Sequence, residues 1–150
     1  MPQALSKVYT HIIFSTKHHK NLIDKTIEPD LFNYLGGICK GLECDPVQIG
    51  GHADHVHILC VLSKKMTQIT LLQELKQRSS KWVKTKGENY SNFYWQNGYG
   101  IFSVNPSQLD VVATYIQNQR QHHQRLGFKD EFRRFLKKYN VDYDERYVWD

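Results

Sequence analysis

The ten residues from 53 to 62, Ala-Asp-His-Val-His-Ile-Leu-Cys-Val-Leu, constrain this chain more than any others. Val56, Ile58, Cys60 and Leu62 occupy the even positions, and the odd positions begin with His55 and His57. Alternation with period two is the pattern of a strand that has one face in a core. The apolar set is buried, and both imidazoles stand together on the opposite face.

The other elements arrange themselves around that strand. Residues 7–15 are rich in β-branched and aromatic side chains and read as a first strand. Residues 27–41 place Leu31, Leu35 and Ile38 at helical spacing, with Pro29 near the start and Gly41 at the end. Residues 47–49 form a short second strand, and Gly50-Gly51 a turn or bulge. A second amphipathic helix spans 67–85, and a polar, glycine-punctuated loop spans 89–100. Residues 100–104 return as a fourth strand. Asn105-Pro106 opens a third helix expected to run to 126, where Gly127 stops it. A short charged helix over 129–139 and an extended tail finish the chain. The order β-α-β-β-α-β predicts an α+β, ferredoxin-like (RRM-like) fold. Its four-stranded antiparallel sheet has two helices on one face, with an additional C-terminal helix carrying Tyr115. The other face is expected to be open.

Bulk properties narrow the function classes. A length of 150 residues suits one domain, 1–150, with a sizeable core. Three cysteines, an odd number, argue against a disulfide framework and for a reducing cytoplasm. No apolar run reaches membrane-spanning length, and no signal-peptide pattern opens the chain. A formal net charge of +5 is compatible with an acidic polymer as partner. Nine tyrosines offer stacking surfaces for unpaired bases, although most aromatics are needed for the core.

Two motifs carry chemistry. His55-x-His57 by itself is common by chance, but here both imidazoles interrupt one face of the most hydrophobic strand. Tyr115 and Gln119 lie four apart on one helix face. Two imidazoles and an amide oxygen leave positions open for water and phosphate oxygens on an octahedral Mg²⁺ or Mn²⁺. The phenol of Tyr115, with an ordinary pKa near 10, needs a polarised phosphate or a nearby base to act as a nucleophile. His18-His19 and His122-His123 read as solvated faces, Cys39 and Cys60 as core residues. Asp54 is a possible partner for an imidazole, although alternation points it away. A zinc site on Cys39 and Cys44 lacks the usual ligand spacing.

Four stretches in order, Gly50–Leu59 (GGHADHVHIL), Leu75–Trp82 (LKQRSSKW), Tyr94–Tyr99 (YWQNGY) and Tyr115-x-x-x-Gln119, carry a resemblance. Together they resemble the single-tyrosine HUH transposases of insertion sequences of the 200/605 type and their relatives linked to repeated palindromes. The tail Glu131–Trp149, with Val141–Tyr147 inside it, is similar too, and one departure is Ala53, where proline is common. The resemblance implies a prokaryotic, cytoplasmic transposase. It would cleave and rejoin single-stranded DNA at hairpin-bearing element ends through a 5′-phosphotyrosine intermediate. His55 and His57 would be paired ligands of a divalent metal, with Gln119 completing the protein's share and Tyr115 attacking the phosphate. Lys76, Arg78 and Ser79 would contact nucleic acid. A homodimer with active sites shared between subunits is implied as well. The alternative is a non-catalytic, domesticated binder of single-stranded DNA or RNA hairpins. Such a binder would have no need of His55, His57, Tyr115 and Gln119 together.

Overall fold

The structure, a computed structural model, describes residues 3–123 and 126–150. Strands β1 (Tyr9–Ser15), β2 (Pro46–His52), β3 (His55–Val61) and β4 (Gly100–Val104) form one sheet in the order β2-β3-β1-β4. Every neighbouring pair is antiparallel. Helices α1 (Glu28–Gly41) and α2 (Gln68–Lys84) provide the two crossovers. This is the ferredoxin-like plan that the element order predicts.

Local chemistry sets the boundaries. Pro29 occupies the first turn of α1, where a missing N–H costs nothing. Thr67 caps α2 by accepting from the Thr70 backbone N–H. Gly50 and Gly51 do not turn the chain but lie inside β2, and the register shift falls between Pro46 and Gln48.

The core beneath the sheet is the one period-two alternation requires. Ile12, Phe14, Val56, Ile58 and Cys60 pack against Leu31, Leu35 and Ile38 of α1 and Leu71, Leu72 and Leu75 of α2, all buried. Each large aliphatic side chain removed from water in this way contributes roughly 1.5–3 kcal/mol.

The opposite face is covered rather than open, which corrects the expectation. Helices α3 (Leu109–Gln117), α4 (Gln119–His122) and α5 (Phe128–Lys138) lie over it. Ile116 of α3 packs on Leu59 and Val104. Phe128, Phe132 and Leu136 of α5 pack on Ile13 and Phe102. The cause is the stripe Phe128, Phe132, Phe135 and Leu136, which follows helical spacing and must find an apolar partner. The expected third helix is also divided. It opens as a single 3₁₀ turn at Pro106–Gln108 and breaks at Asn118, whose φ of −98° and ψ of 23° leave the helical region. Asparagine competes with the helix through its own side chain, which suits a break. The expected continuation to 126 crosses residues 124–125, which lie outside the described residues. Among the described residues, no helix is long and apolar enough to cross a membrane.

Candidate active site

His55 and His57 have no solvent-exposed surface, so each ring nitrogen needs a protein partner. All four have one. His55 Nδ1 lies 2.7 Å from Asp54 Oδ1, and its Nε2 lies 2.8 Å from Gln119 Oε1. His57 Nδ1 lies 2.8 Å from His11 Nε2, and its Nε2 lies 2.9 Å from Glu131 Oε1. Asp54 reaches its neighbour because it belongs to the two-residue turn between β2 and β3, where strand alternation does not apply. His11 reaches His57 diagonally across the β1–β3 ladder, in which Ile13 is the residue paired with His57.

Glu131 is the hub of the cluster. It is 1% exposed, and its second oxygen accepts from the Tyr115 hydroxyl and, at 3.2 Å, from Gln119 Nε2. His123 Nε2 stands 3.2 Å from the first oxygen, off the line of a hydrogen bond. Burial alone would raise the Glu131 carboxyl, but His123, His57 and His55 outweigh it and hold the group ionised, well below the usual carboxylate range. Burial drives His57 down to about 4, although Glu131 pulls the other way. Burial, followed by the charge of Glu131, raises the Tyr115 phenol well above its ordinary value. In this arrangement Tyr115 is a hydrogen-bond donor and not a nucleophile.

The donor set fits a divalent ion. Ligand atoms of His55, His57 and Glu131 all lie within 4.8 Å of one another. Edges of 2.8, 2.9 and 3.5 Å link Gln119 to His55, Glu131 to His57 and Glu131 to His55. Adjacent ligands at about 2.1 Å from an octahedral ion are themselves ~3 Å apart. A second observation is chemical. Asp54 holds the proton on His55 Nδ1, so the lone pair of Nε2 faces the oxygen of Gln119. The Gln119 amide is held that way round because its NH₂ donates to Glu131. Two acceptors 2.8 Å apart need a proton or a cation between them.

The structure thus gathers His55, His57, Gln119 and Tyr115 from two motifs some sixty residues apart, as the |i−j| of 64 for the His55–Gln119 contact records. Sequence reasoning missed Glu131, His11 and His123. Glu131 had a legible signal: it is an acid three residues after Phe128 and next to Phe132, inside the apolar stripe of α5. His123 and His19 are correspondingly not solvated. The His123 ring packs tilted against His55 with centroids 4.3 Å apart, and His19 tilted against Phe128 at 5.5 Å.

A model of the transposase IS200-like family matches residues 4–119. The chain belongs to that family. This transposase is also similar to a candidate transposase from Deinococcus radiodurans R1, with 22% identity over 79% of this chain and 98% of that one, at a TM-score of 0.60. It is similar to a REP-associated tyrosine transposase bound to a REP hairpin, with 13% identity over 82% of this chain and 73% of that one, at a TM-score of 0.61. Both likenesses are of fold. No curated protein sequence matches the chain. The family match of this transposase ends at Gln119, so Glu131 and α5 lie beyond it.

The three α2 residues expected on nucleic acid divide in the transposase structure. Ser79 is fully buried; its hydroxyl donates to the Leu75 carbonyl and accepts from Trp95 Nε1. The Lys76 ammonium donates to the carbonyls of Gln96, Asn97 and Gly98 at 2.9, 3.1 and 2.6 Å. Both hold the segment 95–98 in place, and Ser79 presents no exposed surface. Arg78 alone of the three is exposed, beside Glu74 at 3.9 Å. The 89–100 segment, largely irregular as a loop should be, is anchored by Tyr90, Phe93, Trp95 and Gln96, which are buried.

Proposed function

We propose that this transposase cleaves and rejoins single-stranded DNA at hairpin-bearing ends of a mobile element through a 5′-phosphotyrosine intermediate. The observation that carries the reading is the convergence of the Tyr115 hydroxyl and the His55 and His57 rings on one carboxylate, Glu131. A binding platform has no use for a phenol hydrogen-bonded into a buried metal-ligand cluster.

A divalent ion, Mg²⁺ or Mn²⁺, would be held by His55 and His57 with Gln119 and Glu131 as further donors. When bound it supplies Lewis-acid polarisation of the scissile phosphate. The chain's own residues do the rest. Tyr115 Oη forms the bond to phosphorus while the bond to the 3′ oxygen breaks and that oxygen departs with the electron pair. Glu131, which already accepts the hydroxyl's hydrogen bond, is placed to take the phenol proton. Rejoining reverses these steps and needs no ATP, because the phosphotyrosine retains the bond energy. Asp54 and His11 orient the two imidazoles from behind. Binding of a hairpin by the structurally similar REP-associated enzyme supports hairpin DNA as partner here.

The test is incubation of the purified protein with Mn²⁺ and single-stranded DNA from the ends of its own locus. A covalent protein–DNA band on a denaturing gel is expected for the wild type and is absent for Tyr115→Phe and on EDTA addition. Tight hairpin binding without any band would replace this reading with the domesticated binder. We further propose a homodimer with shared sites. In that case, mixing Tyr115→Phe with His55→Ala restores cleavage that neither shows alone; failure to complement assigns each site to a single chain.

A further inference from the structure

The basic residues of α5 are sorted by side. Arg133 is satisfied by Glu145 at 2.7 Å and Asp130 at 2.9 Å. Arg134 and Lys138, one helical turn apart and both exposed, take part in no ion pair among the described residues. They line a cleft of about 930 Å³ between α3–α4 and α5. Tyr115 and Glu131 line it too, so it leads to the proposed nucleophile. His122 and Tyr139 are among its aromatic residues; His122 stacks on the Tyr115 ring with centroids 4.5 Å apart. The only carboxylate lining the cleft among the described residues is Glu131, already engaged by His57 and Tyr115. Its cations are therefore unopposed.

We propose that this cleft holds the single-stranded DNA adjoining the scissile phosphate. Arg134 and Lys138 bind its phosphates, and His122 and Tyr139 stack on its bases. The inference rests on the strand-cleaving reading above. Unopposed cations along a groove that leads to a phosphate-attacking phenol recognise a polyanion. Aromatic faces beside them select unpaired bases, because a duplex keeps its bases stacked on one another. Each such phosphate contact releases a counterion, which steepens the salt dependence of binding by about 0.7 per contact for a single strand.

The experiment measures fluorescence anisotropy against salt for a thymidine oligonucleotide and, separately, for a closed element-end hairpin without single-stranded flanks. Wild type is compared with Arg134→Gln/Lys138→Gln, whose fold is checked by thermal melting; both positions are exposed and unpaired, so the melt is expected to be unchanged. The double variant is expected to lose about 1.4 from the single-strand slope, two contacts' worth, and to keep hairpin affinity. An unchanged single-strand slope overturns the proposal. The covalent-band assay on the same samples separates the two readings. A wild-type band with an unchanged slope removes the cleft and leaves the cleavage chemistry. A reduced slope with no wild-type band removes the chemistry and leaves the cleft as a single-strand binding site.

Discussion

At the scale of single residues, Glu131 decides what the site can hold. An acid with five neighbours that titrate or donate, Tyr115, Gln119, His55, His57 and His123, is the strongest anionic donor present. Glu131→Ala is expected to weaken Mn²⁺ binding at least about tenfold, or ~1.4 kcal/mol, by calorimetry of the purified protein. Gln119→Ala should weaken it less, because a neutral amide oxygen is the poorer ligand. If Glu131→Ala bound Mn²⁺ as well as wild type, the triad of His55, His57 and Glu131 would not be the ion's seat. The His-x-His pair was legible because it lies on one periodic strand, and the Tyr-x₃-Gln pair because its spacing is that of one helix face, although Asn118 divides that helix. Glu131 was not singled out: its place inside the apolar stripe of α5 marks it for burial, but the stripe alone does not say which groups it meets. Its partners arrive from β3, α3 and α4 only once the chain is folded.

At the scale of elements, the approach of α3 to the sheet depends on Gly50. A Cβ on Gly50 would stand 2.4 Å from the Ile116 carbonyl oxygen, closer than any carbon can approach backbone. The glycine of β2 thus lets the tyrosine helix sit directly on the strand beside β3. Gly50→Ala is expected to push α3 outward and separate Tyr115 from Glu131. The covalent band should fall by at least about tenfold, while Mn²⁺ binding through His55 and His57 falls less. Equal loss of both would mean that the whole fold had yielded instead. In the sequence Gly50-Gly51 reads as a turn or bulge, because glycine signals a bend and close backbone approach alike. Strand alternation and helix spacing did reveal the sheet and its first two helices. The division at Asn118 and the docking of α5 are tertiary outcomes, which periodicity alone cannot specify.

At the scale of the molecule, burying this cluster makes the metal-free protein sensitive to acid. His57 is held at about 4 against an ordinary imidazole value of 6.5, so the unfolded chain takes up a proton that the folded one resists. Stability therefore falls as pH drops from 6.5 to 4, by about 3 kcal/mol at most from this group. His11, also lowered by burial, adds in the same sense. Glu131, depressed by its histidines, contributes stability above its unfolded value of 4.5 and withdraws it further into acid. Calorimetric melting temperatures measured in EDTA should decline across this window, and His57→Gln should flatten the upper part. A flat wild-type profile from pH 7 to 4 would show that these histidines are not buried neutral. The same burial has a consequence in time. His57 precedes its partner Glu131 by 74 residues, so during synthesis the strand that carries both imidazoles leaves the ribosome first. At roughly 5–20 residues per second, its imidazoles wait about 4–15 seconds for the helix that covers them. Ribosome-bound chains therefore expose imidazoles that the folded protein conceals, and that exposure ends when α5 has emerged and docked.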